Sequence, residues 1–274
     1  MGWKGAPPPF FPVCDCTTED RSVLSEILPN KLYLTNYIGA ENLPELKRVK
    51  CTHIAAIGTE FMENEDNHAA SALKIKFFNK DITDDEEQAD SMAATLRDAA
   101  GFISKALKKK KGVVLVHCAA GISRSTTVVL GYLMLHEKKT LLGGFGMVHA
   151  KRPCVWPNEG FIAALIELEK KLNKGKATMT VEEYEHWGDY DGPAEDLGEE
   201  SHGASSPTRT KADRKQAAIA LTQEALKHRE EEHAATLAMR KKTRSIFRFF
   251  VRASGTSSAV VVPTTTLGPR ANTS

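Results

Sequence analysis

No apolar run in these 274 residues is long enough to cross a bilayer as a helix. Neither sign of charge prevails: 37 Lys and Arg stand against 35 Asp and Glu, a formal net charge of +2. That balance removes any whole-chain argument for nucleic acid as a partner. Cysteine is sparse and odd in number, with five residues at positions 14, 16, 51, 118 and 154. Those spacings suggest no pairing, so a reduced, intracellular chain is expected. Cys14-Asp15-Cys16 has no second Cys/His pair at zinc spacing, so no metal site is expected. Pro7-Pro8-Pro9 sits where a signal peptide needs its apolar core, and Ala6 where a myristoylation motif needs Ser or Thr. There is no internal repeat. What remains is the ordinary composition of a soluble globular protein, 41% hydrophobic and 26% charged. The expected location is the cytoplasm, with the nucleus also open.

Residues 1–22 read as an irregular extension, Pro-rich and then acidic. A dense pattern runs over 23–174. Ile27 to Leu34 reads as a turn and a short strand, and Asn42 to Lys50 as a short helix with Leu43, Leu46 and Val49 on one side. Cys51 to Ile57 and Leu73 to Phe78 read as strands. An acidic loop, Asp81 to Asp90, leads into a helix carrying Met92, Leu96, Ala99, Ile103 and Leu107. A strand at 113–117, a helix to about His136, and helices at 140–151 and 158–173 follow. Gly143, Gly144 and Gly146 each cost on the order of 1 kcal/mol in a helix, so the first of these last two is expected to be loosened. Strands alternating with helices give the α/β class. Residues 175–210 read as linker, 211–252 as a basic helical extension and 253–274 as a disordered tail.

One segment carries chemistry. The apolar run Val113-Val114-Leu115-Val116 stops at His117-Cys118, and Ala119-Ala120-Gly121-Ile122-Ser123 leads to Arg124-Ser125. A helical pattern then begins at Thr126. That is a strand, a tight loop and a helix, with a thiol at the mouth of the loop. A helix start offers unpaired N–H groups and a positive dipole end, which hold an anion and favour a thiolate. A short loop can turn its own N–H groups inward as a nest. Arg124 can grip two oxygens of a tetrahedral oxyanion. The segment is suited to holding a phosphate against a thiolate.

His117 to Ser125 resembles the signature loop of cysteine-dependent protein phosphatases, and its wording is similar to that of the dual-specificity group. Support is spread in order over about residues 24–174. Ile27-Leu28-Pro29 with Leu32-Tyr33-Leu34 resembles that family's opening strand, and Cys51-Thr52-His53-Ile54 its next. Gly131-Tyr132-Leu133-Met134 resembles the helix behind the loop. Lys151-Arg152-Pro153, followed by Pro157-Asn158-Glu159-Gly160-Phe161, resembles the closing helix. The resemblance implies a central mixed sheet flanked by helices and no cofactor. It implies Cys118 as nucleophile, Arg124 as the grip on the phosphoryl group and Ser125 as hydrogen-bond donor to the sulfur. His117, Cys118, Ala119, Ala120, Gly121, Ile122, Ser123 and Arg124 form the phosphate loop, with His117 in support. The family also places an acidic residue on the loop before the preceding helix. Counting back from Phe102-Ile103 points to Asp85, with Asp84 next and Asp81 third. Asn158 either braces the phosphate loop or caps its own helix.

Ala119 and Ala120 stand where lipid-directed relatives often carry Lys. This favours phosphoproteins, through phosphotyrosine and phosphoserine/threonine, over phosphoinositides. A phosphoprotein-binding adaptor with little activity is the alternative of another class. Arg240 to Arg252 is basic with interleaved aromatics. It reads as a solvated or packed helix end, as a weak contact with an anionic membrane surface, or as a docking peptide for a protein kinase. Ser206-Pro207 has the form of a proline-directed phosphorylation site.

Overall fold

The computed structural model describes residues 16–58 and 73–187. These belong to the first of two compact units, Met1–Lys227, and none lies in the second, His228–Ser274. The assignments made above for 188–274, including the basic segment 240–252, fall outside the described residues.

β5 (Val114–His117) is buried at every position. It pairs in parallel with β2 (Leu32–Thr35) on one side and β3 (His53–Ile57) on the other. β4 (Lys76–Lys80) continues in parallel beyond β3, and β1 (Ser25–Leu28) runs antiparallel to β2 at the opposite edge. The sheet is therefore mixed, in the order β1-β2-β5-β3-β4.

Side chains alternate across each strand, and both faces are covered. Leu32, Leu34, Ala55, Ile57, Val114 and Val116 enter the larger core. There they meet α4 (Ala89–Leu107), α5 (Arg124–His136), α6 (Leu141–Lys151) and α7 (Glu159–Leu172). Tyr33, Ile54 and Leu115 enter the smaller core, against Leu46 of α3 (Leu43–Arg48). α5 is buried continuously from Arg124 to Met134, so the sheet and three helices fix its first turn in place.

The structure departs from the sequence expectations at both ends of the domain. Residues 1–22 are not irregular throughout: α1 spans Thr18–Ser22, closed by a Thr17–Asp20 capping box. Cys16 is disulfide-bonded, against the expectation of a wholly reduced chain, whereas Cys51, Cys118 and Cys154 are free. The segment assigned as linker from 175 begins as ordered structure. Glu169 accepts from Leu141 N–H at 2.8 Å and Thr178 N–H at 2.7 Å, and α8 (Val181–His186) follows. Tyr184 and Trp187 are buried against the larger core. α6 is a continuous helix despite its glycines, because Thr140 caps it and its apolar residues pack into that core. The turn and short strand read over Ile27 to Leu34 are part of the hairpin β1–β2, turning at Asn30 with φ 54°.

His53 opens β3 and is buried, with Nδ1 2.7 Å from Thr52 Oγ1 and Nε2 3.4 Å from Lys109 Nζ. Burial, then Lys109 and Lys76, hold its pKa below the ordinary 6.5. The folded state thus favours the neutral ring, and the unfolded chain takes up the proton first as pH falls. This contribution to stability is complete above about pH 6.5 and is lost below it, through the lowered folded value. Denaturation midpoints should fall as pH drops below about 6.5, and His53→Gln should flatten that part of the decline.

Candidate active site

β5 delivers Cys118 at the carboxyl end of the parallel strands, where open α/β sheets collect ligands. Six residues on, Arg124 begins α5. The loop between is buried almost throughout, and Cys118 itself is 1% exposed. The sulfur therefore lies at the floor of the loop and not at its mouth. Its Sγ stands 3.2 Å from Ser125 Oγ and accepts a hydrogen bond from Gly121 N–H at 3.2 Å. Burial pushes the thiol of Cys51, away from this loop, up to about 12, which keeps it protonated and inert.

The loop's carbonyls are tied outward to the scaffold. Ala119 O accepts from Tyr37 N–H at 3.1 Å, and Tyr37 opens α2 (Tyr37–Glu41). Gly121 O accepts from Arg152 Nε at 2.8 Å, and Ile122 O from Trp156 N–H at 3.0 Å. Ser123 O accepts from Thr127 N–H at 2.9 Å. In a trans peptide the next N–H points opposite to the carbonyl, and the described chain has no cis bond. The N–H groups of Ala120, Ile122, Ser123 and Arg124 therefore turn away from these anchors, into the loop. Amides turned inward in this way can hold an anion as a nest. Gly121 makes the turn at φ +68°, and a Cβ there would come within 2.5 Å of Arg152 Nη2 and of Thr35 O.

Arg152 is a buried guanidinium that also donates to Arg21 O at 2.8 Å and Ser25 Oγ at 3.2 Å. It joins the loop to α1 and β1. Nothing in its spacing marks this role; only the Lys-Arg-Pro wording hints at it.

Arg124 is 2% exposed. Its Nη1 donates to Ile82 O at 3.3 Å, and its Nε lies 3.6 Å from Asp84 Oδ2. Asp84 Oδ1 accepts from Ser123 Oγ at 2.7 Å and from Asn158 Nδ2 at 2.9 Å. The carboxylate is thus held over the loop by three side chains, with 24% of its side chain still open to solvent. Asp85 is turned elsewhere. Its Oδ1 accepts from Glu87 N–H at 3.0 Å and caps the 3₁₀ turn Glu86–Gln88. Asp81 is exposed on the same loop.

Asn158 satisfies both readings of it. Oδ1 caps α7 by accepting from Phe161 N–H at 2.9 Å, which leaves Nδ2 for Asp84. Its backbone N–H donates to Ser123 Oγ at 3.1 Å. Gly160 lets the acidic loop come this close: a Cβ there would stand 2.3 Å from Glu86 O. His117 is fully buried at the end of β5, and Ala119 packs with Tyr37 and Ala56. Of the residues singled out in the sequence, the structure brings Cys118 and Ser125 together, and Arg124 and Asn158 onto Asp84. Sequence reasoning missed the Ser123–Asp84 contact, which no spacing rule announces.

A thiol, a turn of loop amides, a guanidinium and a carboxyl group held over the loop are the parts of a cysteine-based phosphatase. The sequence profile of the family described as "Dual specificity phosphatase, catalytic domain" matches residues 32–171. The chain belongs to that family and is a dual-specificity protein phosphatase. The human protein named "Dual specificity protein phosphatase 26" is 35% identical over 150 residues, covering 55% of this chain and 69% of its own. The "MAP kinase phosphatase with leucine-rich repeats protein 3" of Dictyostelium discoideum is 36% identical over 152 residues, 55% of this chain and 16% of its own. Among solved structures, human DUSP28 superposes with a TM-score of 0.48 at 26% identity, covering 54% of this chain and 94% of its own.

Proposed function

We propose that this phosphatase hydrolyses phosphotyrosine and phosphoserine/phosphothreonine in proteins through a phosphocysteine intermediate. The observation that carries the reading is the thiol at the floor of a nest with Arg124 beside it.

The ionised Cys118 sulfur attacks phosphorus and the bond from phosphorus to the ester oxygen breaks. Gly121 N–H and Ser125 Oγ, at the start of α5, lie against that sulfur. The inward amides and Arg124 stabilise the charge spreading over the three equatorial oxygens. Asp84, in its acid form, gives its proton to the departing oxygen. In the second step the Asp84 carboxylate takes a proton from water, water oxygen attacks phosphorus, and the P–S bond breaks. Ser125 Oγ–H donates to the leaving sulfur. The products are the dephosphorylated side chain and inorganic phosphate. Asp84 takes the role first assigned to Asp85, because Asp84 reaches the loop while Asp85 is committed to its own turn.

Protein substrates are preferred over phosphoinositides, since Ala119 and Ala120 add no charge for further phosphates. Phosphate release from phosphotyrosine and phosphothreonine peptides should exceed release from phosphoinositide vesicles by at least about tenfold in kcat/KM. Faster turnover of the lipids would reverse this assignment. Exclusive action on phosphotyrosine would restrict it.

A further inference from the structure

Residues past the matched segment 32–171 come back to touch the site. α8 begins at a Thr180–Glu183 capping box and carries Tyr184, which is 1% exposed. The Tyr184 hydroxyl donates to Pro157 O at 2.7 Å. Its ring stacks on Trp156 with centroids 4.7 Å apart, and Trp187 and Phe145 meet it edge-on at 5.4 and 5.9 Å.

Pro157 O and Asn158 N–H belong to one peptide plane. Tyr184 holds that plane by its oxygen, and Ser123 of the phosphate loop holds it by its nitrogen, at 3.1 Å. Fixing the plane fixes where the Asn158 side chain starts. That side chain donates to Asp84 at 2.9 Å. The neighbouring residue repeats the pattern, since Trp156 lies under Tyr184 and gives its N–H to Ile122 O. A buried phenol costs desolvation unless its hydroxyl finds a partner, and here the partner is a carbonyl one residue from the site.

We infer that Tyr184 is a positioning residue for the phosphatase reaction: through the Pro157–Asn158 peptide it holds Asp84 where that group can protonate the leaving oxygen. The inference rests on the proposed acid role of Asp84 and extends the working domain beyond the family match.

Tyr184→Phe in the full chain tests it. The ring and its stacking remain, and only the hydroxyl goes. The readout is kcat/KM for phenyl phosphate, whose leaving group needs a proton, against 4-nitrophenyl phosphate, whose leaving group needs one much less. The ratio of the two does not depend on how much of the protein is folded. Expected is a loss of about three- to tenfold on phenyl phosphate and less than about twofold on 4-nitrophenyl phosphate, with no further loss in an Asn158→Ala background. An unchanged ratio, or equal losses on both esters, overturns the inference. If Asp84→Asn changes the ratio and Tyr184→Phe does not, Tyr184 alone is excluded and the acid assignment stands. If wild type shows no turnover that depends on Cys118, the phosphatase reading fails and takes this inference with it.

Discussion

Cys118→Ser should remove turnover, lowering kcat by at least about a thousandfold while leaving phosphate binding in place. The substitution keeps the shape of the side chain and the Gly121 and Ser125 contacts around it. The serine hydroxyl, however, is a far weaker acid than a thiol and lacks an adjacent general base. The nest and Arg124 are untouched, so a phosphotyrosine peptide should bind within about threefold of its wild-type affinity. Isothermal titration and a phosphate-release assay, run side by side, read the two quantities separately. Equal and negligible release by wild type and variant, with binding retained by both, would instead mark a phosphoprotein-binding adaptor. Loss of binding along with turnover would mean that the sulfur holds the loop together, and the nucleophile assignment would lose its support.

Asp84→Asn should lower kcat/KM for phenyl phosphate by about a hundredfold or more, within the range that a positioned general acid supplies. The amide still accepts from Ser123 and Asn158 through its oxygen but has no proton to give. A general acid works only while protonated, so its reactivity is lost as pH rises. Removing it should therefore abolish the alkaline decline of the rate profile. The effect should shrink on 4-nitrophenyl phosphate. Asp85→Asn is the paired control: Asn caps a turn about as well as Asp, so turnover should stay within about twofold. If the two variants exchange behaviours, the acidic loop rearranges when substrate binds and Asp85 is the acid after all.

The sheet was legible because its strands are short apolar runs bounded by charge, as at Val113 to Val116 beside Lys108 to Lys111. Cys118 and Arg124 were legible because one contiguous segment carries them. Asp84 was not, since counting along a loop cannot say which of two adjacent carboxyl groups faces inward. That choice depends on Ser123 and Asn158, which come from elements 39 and 74 residues away. Tyr184 was hidden for a related reason. Its segment is acidic and glycine-rich around it, and only contact with Trp156 and Phe145 makes α8 worth ordering. The glycines of α6 misled in the opposite direction, because intrinsic propensity is outweighed once a face is packed.

The outward-tied carbonyls have a consequence for anyone who would move this chemistry elsewhere. Ten residues copied from His117 to Thr126 into another protein would bring the reactive letters without their mooring points, which belong to Tyr37, Arg152 and Trp156. Freed of those three, the peptide planes would swivel and the inward-facing amides would be lost. A transplant should succeed only when the recipient supplies donors at matching places, which makes this motif a property of a whole domain's architecture.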